Sequence, residues 1–438
     1  MATLSRSIPA DRMAVLFAVM LVAAAGNTAM QSILPAIGAK LDIPDVWVSL
    51  AFSWSALLWV MTAPYWARQS DRRGRKALMA LGVVGFMLSM AFCGLALWAG
   101  LAGYLAAGTT FIIFALFRSL YGGLGSAAPP AVQAYVASRT DPEERTQALS
   151  LVSSSFGLGT VIGPAIAPLF ILPFVGLSGP LLVFALIGLL VLVMLRWRLP
   201  DDVPRFAARG AIAAYPTAAG SPASTSDDSD DDVDEGEGDA PAPTPLRWTD
   251  KRVRPWMLAG LYGGQAQAMM LGVIGFLILD RLNLRVRPDE GAAMTGIVLM
   301  AGAFATLLSQ WGLIPLLKPS ARTAVLVGAA LGASGLIITG VAQDLHGIVI
   351  GFALASLGFG LFRPGFTAGA SLSVPRRDQG SVAGMTASIN GSAYIVSPAI
   401  GVLLYNWHPM VAYGLMAGFC GWLVLWGWSA LRQDQPAA

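Results

Sequence analysis

The chain is poor in the residue types on which most soluble chemistry rests. Among 438 residues there are two cysteines and two histidines, and only 12% of residues are charged. Cys93 and Cys420 each sit inside an apolar run, so they support neither a disulfide framework nor a metal site and read as helix-packing residues. His346 and His408 fall at loop edges, poor positions for carrying protons. No nucleophile, metal cluster or carboxylate pair gathers at one depth, which argues against an enzyme. No folded soluble domain suggests a sensor, and nothing points to nucleic acid or a bound cofactor. Polar surface is scarce too. The chain is 55% hydrophobic, with its charges in short clusters between long stretches that carry almost none, the pattern of a multi-span membrane protein in a lipid bilayer.

A helix crosses the hydrocarbon with about twenty apolar residues. By that rule spans are expected at 12–36, 47–66, 77–99, 104–128, 148–172, 178–198, 256–279, 291–317, 323–342, 346–371, 380–404 and 409–431. The opening run reads as the first span rather than a cleaved signal peptide, since no small-x-small site precedes a soluble domain. The runs are too long for the alternating segments of a membrane barrel, and helices satisfy every backbone group in lipid. The expected fold class is an all-α membrane protein.

Between the sixth and seventh spans lies a segment of different character, containing "GSPASTSDDSDDDVDEGEGDAPAPTP". Such a stretch buries too little apolar surface to offset its ordering entropy, so it is expected to be a disordered acidic tether. It lacks the glycine and terminal glutamate spacing of a calcium loop. The expected organisation is therefore a six-helix bundle over 1–198, a linker over 199–255 and a second bundle over 256–438. Lys and Arg concentrate in alternate loops, notably Arg68, Arg72, Arg73, Arg75 and Lys76, whereas the opposite loops hold Lys40, Arg281, Arg285 and Arg287. That bias places both termini and the linker in the cytoplasm, as in a multi-pass protein of the plasma (inner) membrane. The halves also match weakly: "GPAIAPLF" from Gly163 aligns with "SPAIGVLL" from Ser397, with Pro130 on Pro364 and Glu144 on Asp378. Two parallel repeats follow.

One cluster, "ARQSDRRGRK" from Ala67, holds a lone Asp and a Gly that a topology signal does not need. It resembles the loop between the second and third helices of the major facilitator superfamily, through Asp71, Arg72, Gly74, Arg75 and Lys76, with Ala67 in place of the first Gly. Gly74 permits a sharp turn. The resemblance implies that Asp71, at the end of the second span, pairs with arginines or a helix N-terminus and clasps the cytoplasmic mouth in one state. "FALFRSLYGG" resembles that family's fourth-helix pattern through Arg118 and Gly122, with Tyr121 where Gln is usual. "GTVIGPAIAP" resembles its antiporter pattern through Gly159, Gly163 and Pro164, with Ala167 and Pro168 replacing the closing glycines. Small residues four apart let helices touch, and Pro bends a span. The ending of the first span, "LPAIGAKLDIP", also resembles drug and metabolite exporters. Together these imply twelve helices in two pseudo-symmetric bundles and a monomeric secondary transporter exporting a drug or metabolite by proton antiport.

Polar groups inside spans mark the expected path. The acidic residues all fall at termini, loops, the linker or span ends. Two cations lie mid-span, Arg118 and Arg363, accompanied by Asn27 and Gln31 on one face of the first helix, Gln265, and Asn390 with Tyr394. A cavity with fixed positive charge and no carboxylate favours anionic or neutral polar solutes, a carboxylate-bearing siderophore among them. Import or exchange of an organic anion is the alternative. Arg118 reads equally well as a solute ligand or as a structural motif residue. Asp71 or Asp280 is left as the candidate proton carrier.

Overall fold

The computed structural model describes residues 8–140, 142–201, 248–374 and 379–431. Side chains at 68, 70–72, 142–147, 150, 153, 379–381 and 383 within those ranges are not described. The acidic part of the linker, with its expected disorder, lies outside the described residues, as do the side chains of Asp71 and Arg72. Fourteen α-helical segments make up the described chain. The first half contains α1 (Ala10–Lys40), α2 (Asp45–Arg73), α3 (Arg75–Leu101), α4 (Ala107–Gly123), α5 (Ala128–Ala137), α6 (Pro142–Ile166) and α7 (Gly179–Arg198). The second contains α8 (Arg254–Arg281), α9 (Pro288–Leu307), α10 (Ile314–Leu317), α11 (Ala321–Val341), α12 (Leu345–Leu372), α13 (Gln379–Trp407) and α14 (Pro409–Ala430).

Eleven helices among the described residues are long and apolar enough to cross a membrane. The fifth span is shorter: its apolar stretch, Ser154–Phe170, runs from inside α6 through a 3-10 turn over Ala167–Phe170. The fourth span extends beyond its expected end at 128. A 3-10 turn at Gly125–Ala127 leads into α5, which places Pro129 and Pro130 in its first turn, where a missing N–H costs nothing, and carries the span on to Ala137. The eighth span joins α9 to α10 through a π-helical turn, Leu308–Leu313.

α1 packs on α6 and α7, and α3 on α4 and α7, while α11 packs on α12 and α14, and α8 on α13. Two bundles result. They meet through α2 against α13, α6 against α9, and α1 against α8 and α9. We call the end where α1 begins the near end, and the end where α2 begins the far end. The first helix of each bundle closes on the same turn. After α1, Asp42 takes a left-handed φ of 54° and Ile43 N–H donates to Gly38 C=O at 2.9 Å. After α8, Asn283 takes φ 52° and Leu284 N–H donates to Leu279 C=O at 2.8 Å. Asx residues tolerate this conformation better than most, and the bond satisfies an orphan helix carbonyl.

Candidate functional site

Those matched turns are also where charge crosses between the bundles. Asp45, the first residue of α2, has a side chain only 7% exposed. Arg285, two residues beyond Asn283, donates to both of its oxygens, Nη1 to Oδ1 at 3.1 Å and Nη2 to Oδ2 at 2.7 Å. The Nε of Arg285 donates to Asp280 Oδ1, and Asp280 Oδ2 accepts from the Tyr405 hydroxyl at 2.8 Å. A two-pronged guanidinium–carboxylate pair is both stronger and more geometrically demanding than a point contact. Hydrogen bonds from Arg285 to Asp45 and then to Asp280 raise the guanidinium's pKa, so it stays charged. The network ties the head of α2 to the ends of α8 and α13, one bundle to the other.

The near-end cluster behaves differently. Gly74 sits between α2 and α3 with φ 86° and ψ 143°, a backbone state open to glycine and strained for other residues, as the sequence led us to expect. Arg75 and Lys76 are buried in the first turn of α3. Arg75 donates to the Ser138 hydroxyl beyond α5, and Lys76 donates to Asp201 at 2.9 Å and to the Arg196 carbonyl at 3.2 Å. The hydrogen bond from Lys76 holds the Asp201 carboxyl below the usual carboxylate range. Every one of these partners belongs to the first bundle or to its exit.

The antiporter-pattern glycines lie where α6 meets α1. A Cβ on Gly159 would strike the Leu21 carbonyl, and one on Gly163 the Ala25 carbonyl, so the two backbones are in contact. Thr28 Oγ1 donates to Ala24 O at 3.0 Å and reaches Gly159 O at 3.5 Å in the same crossing. Pro164 faces the other bundle: a Cβ on Gly296 of α9 would lie 2.7 Å from its carbonyl. Farther out, a Cβ on Gly275 would lie 2.5 Å from Pro35. Toward the near end, a Cβ on Gly157 would be 3.8 Å from Leu307. Of these α6–α9 and α1–α8 approaches the tight ones fall in the far half, while at mid-height Val60 of α2 meets Gly391 of α13, where a Cβ would lie 2.7 Å away.

Between the bundles lies a cavity of about 40 Å³ lined by Gln31, Ser49, Phe52, Gly272, Tyr394 and Pro398, among others. It has room for a few water molecules and no organic solute. Of the expected path residues, this cavity brings together Gln31 and Tyr394; the others are not part of its lining. Gln31 Oε1 is buried with no hydrogen bond among the described residues. Arg118 and Asn27 lie deeper in the first bundle, both fully buried, with Arg118 Nη2 donating to Asn27 Oδ1. The Arg118 guanidinium sits 4.6 Å from the centre of the Tyr121 ring and 6.0 Å from that of Phe52. Tyr121, standing where Gln is usual, therefore answers the charge with its π face. Gln265 and Asn390 are half-buried.

Arg363 differs from Arg118. It is 4% exposed, yet neither terminal nitrogen makes a hydrogen bond among the described residues. α12 packs on the π-helical turn of the eighth span, where a Cβ on Gly360 would lie 2.9 Å from Ser309 Cβ. Arg363, one turn on from Gly360, shares that face of α12. Ser309 Oγ and Gln310 Nε2 are likewise buried without a hydrogen bond. Buried polar groups are almost always satisfied, and single π turns recur at functional sites. Sequence reasoning missed this turn, the Gln310 amide and the Asp45–Arg285 pair. The last was legible in principle, as opposite charges just after matched turns of two repeats.

A family model described as Major Facilitator Superfamily matches residues 16–398. Among curated proteins, Multidrug resistance protein 2 of Bacillus subtilis is 37% identical over 109 residues, covering 25% of this chain and 24% of that protein. Multidrug resistance protein MdtG of Proteus mirabilis is 30% identical over 149 residues, covering 32% and 33%. The alignments thus span about a quarter to a third of the length of these relatives. Among solved structures, a D-xylose–proton symporter superposes with TM-score 0.70 at 14% identity, covering 97% of this chain and 98% of that one. The human organic anion transporter MFSD10 does so with TM-score 0.61 at 18% identity, covering 97% and 100%. Two six-helix bundles, a cavity at their seam, a charge pair across one mouth and a family match over most of the length agree with one another: the chain belongs to the Major Facilitator Superfamily.

Proposed function

We propose that the protein is an exporter of small organic molecules that works by alternating access, driven by exchange for protons. The observation that carries this reading is the Asp45–Arg285–Asp280–Tyr405 network, which joins the bundles at one mouth and must part for that mouth to open. The Lys and Arg bias of the loops supports assigning the far end to the outside and the near end, with both termini, to the cytoplasm of a plasma (inner) membrane. In that frame the conformation described here is closed outward. Rocking the bundles exchanges this arrangement for one with the far mouth parted, so solute reaches the cavity from one side at a time.

Efflux is favoured by the multidrug resistance relatives and by the close α1–α6 crossing built on Gly159 and Gly163. Substrate charge is favoured by Arg363, whose buried terminal nitrogens are available to a carboxylate. A carboxylate-bearing metabolite such as a siderophore fits that preference, and the transporter acts as a monomer. The test is transport in inside-out vesicles with an imposed proton gradient, comparing a lipophilic dye, a carboxylate dye and an iron chelator. Gradient-dependent accumulation inside the vesicles is expected. Accumulation only in right-side-out vesicles would instead establish the second reading, import or exchange of an organic anion, which Arg363 serves equally well.

A further inference from the structure

A second, larger cavity lies on the membrane side of the same seam. It measures about 560 Å³, within the size range of small-molecule sites, and runs beside the outer half of α2, from Ile43 to Leu57. Its walls are Trp47, Leu50 and Trp54 of α2 and Phe111 and Ile112 of α4, with Ile395 contributed by α13 across the bundle boundary. Trp47 and Ile112 are each 63% exposed, so the groove opens on the hydrocarbon. Trp54 is held in place by its indole N–H, which donates to Ser119 Oγ at 2.7 Å. The helix alongside covers about 18 Å of axis between Asp45 and Leu57, roughly one leaflet's depth of hydrocarbon.

Only one layer of helix separates this groove from the central cavity. Along α2, Val48, Ser49 and Phe52 line the central cavity while Trp47, Leu50, Ala51 and Trp54 line the groove. On α13 the adjacent residues Tyr394 and Ile395 divide in the same way. The wall between includes Ser49, Ala51 and Ser53, all small. Closer to the near end, Val60 of α2 meets Gly391, where a Cβ would come within 2.7 Å. α2 and α13 belong to different bundles, and Asp45 heads the very stretch of α2 that forms this wall. When Arg285 releases Asp45, the outer end of α2 is freed from the second bundle at the seam that separates the two cavities.

We propose that the α2–α13 seam is a side portal, through which an apolar small molecule passes from the central cavity into the groove and so into the outer leaflet. This rests on the export reading above and adds to it, beside the carboxylate solutes that Arg363 favours, a second substrate class, lipophilic compounds, with an exit route of its own. The occupant follows from continuity: the groove is apolar, faces lipid and adjoins an interface that transport must open. One motion would then open both the aqueous mouth and the side portal.

The test uses the full-length protein in liposomes and a diazirine at the end of an alkyl chain that partitions wholly into the bilayer. It needs no transport substrate, so its outcome is separable from failure of the export reading. Arg285→Gln frees the latch, and Gly108→Trp fills the groove; Gly108 lines it, and a Cβ there meets nothing within 4 Å. The expected result is labelling of Phe52 and Tyr394 in Arg285→Gln protein, about fivefold or more above the unaltered protein, the lower bound for a coupling of this kind. Adding Gly108→Trp should return it to background. Labelling confined to groove residues in every variant would show that the groove holds annular lipid alone. Cavity labelling unaffected by Gly108→Trp would show entry by another route. Either result would overturn the portal.

Discussion

The two mouths of the transporter carry opposite kinds of electrostatics. At the near mouth the charge density is high, but the described partners of Arg75 and Lys76, Ser138 and Asp201, belong to the first bundle or its exit. At the far mouth fewer charges do more, because Asp45 and Arg285 come from different bundles. A gate is identified by what a pair spans, not by how many charges surround it. The near cluster, as far as it is described, braces one body; the far pair fastens two. The contact expected of Asp71 concerns a side chain outside those described.

The comparison assumes that each bundle moves as a unit, and the most disruptive change attacks that. Gly163→Leu would drive a side chain into the Ala25 carbonyl, with no flexible neighbour to yield. A cost of about 3 kcal/mol or more is expected for overpacking against backbone. Thermal unfolding followed by size-exclusion chromatography in detergent should show early aggregation. A variant as stable as the parent would mean the α1–α6 crossing is looser than described.

Next comes the latch itself. Asp45→Asn removes the carboxylate from a two-pronged pair, expected to weaken the far-closed state by on the order of 1–3 kcal/mol, below the figure for a fully buried pair because the Arg285 side chain is 40% exposed. Lys76→Ala at the near mouth should cost less, since its partner Asp201 is 96% exposed. Comparing spin-label distances across each mouth in the two variants separates the roles. Asp45→Asn should widen the far mouth, and Lys76→Ala should leave the inter-bundle distances unchanged. Widening in Lys76→Ala alone would reverse the assignment of roles.

The two buried arginines give a subtler contrast. Arg118→Gln removes a group engaged with Asn27 and Tyr121, so lower stability is expected whatever the solute. Arg363→Gln should leave the melting temperature nearly unchanged and reduce transport of carboxylate solutes by roughly tenfold, the loss of one charge-assisted contact of about 1.4 kcal/mol. Equal losses for anionic and neutral solutes would remove the selectivity role.

The smallest effect concerns pH. The Asp201 carboxyl is held below its ordinary range by Lys76, so it binds protons less readily in the folded chain than in the unfolded one. That contribution is therefore complete above about pH 4, the unfolded value, and fades as pH falls through the lowered folded value. Asp201→Asn should flatten acid sensitivity only slightly, measured as melting temperature between neutral and acid pH.

Much of this was legible in the residues. Span order, and eleven of the twelve expected spans among the described residues, followed from apolar run length, and Gly74 from its place between two helices. Gly159 and Gly163 announced a close crossing by their spacing, but not that α1 was the partner. The fourth span's extension to Ala137 was hidden because Pro129 and Pro130 look like a stop, whereas after a 3-10 turn they begin a helix. The π turn at Leu308–Leu313 leaves no periodic trace over six residues. Arg285 read as one loop cation among others, because its significance depends on the partner that folding brings from 240 positions away.

The central claim is that the Asp45–Arg285 pair keeps the far mouth shut. Ser49→Cys offers a reporter: Ser49 lines the central cavity and is 3% exposed, and both native cysteines are buried. The measurement is its reaction rate with a membrane-impermeant maleimide added from the outside, with and without Arg285→Gln. The expected result is slow labelling in the otherwise unaltered protein and a rise of about five- to 150-fold when the pair is broken, the range of a 1–3 kcal/mol coupling. Equal rates in the two proteins would contradict the claim.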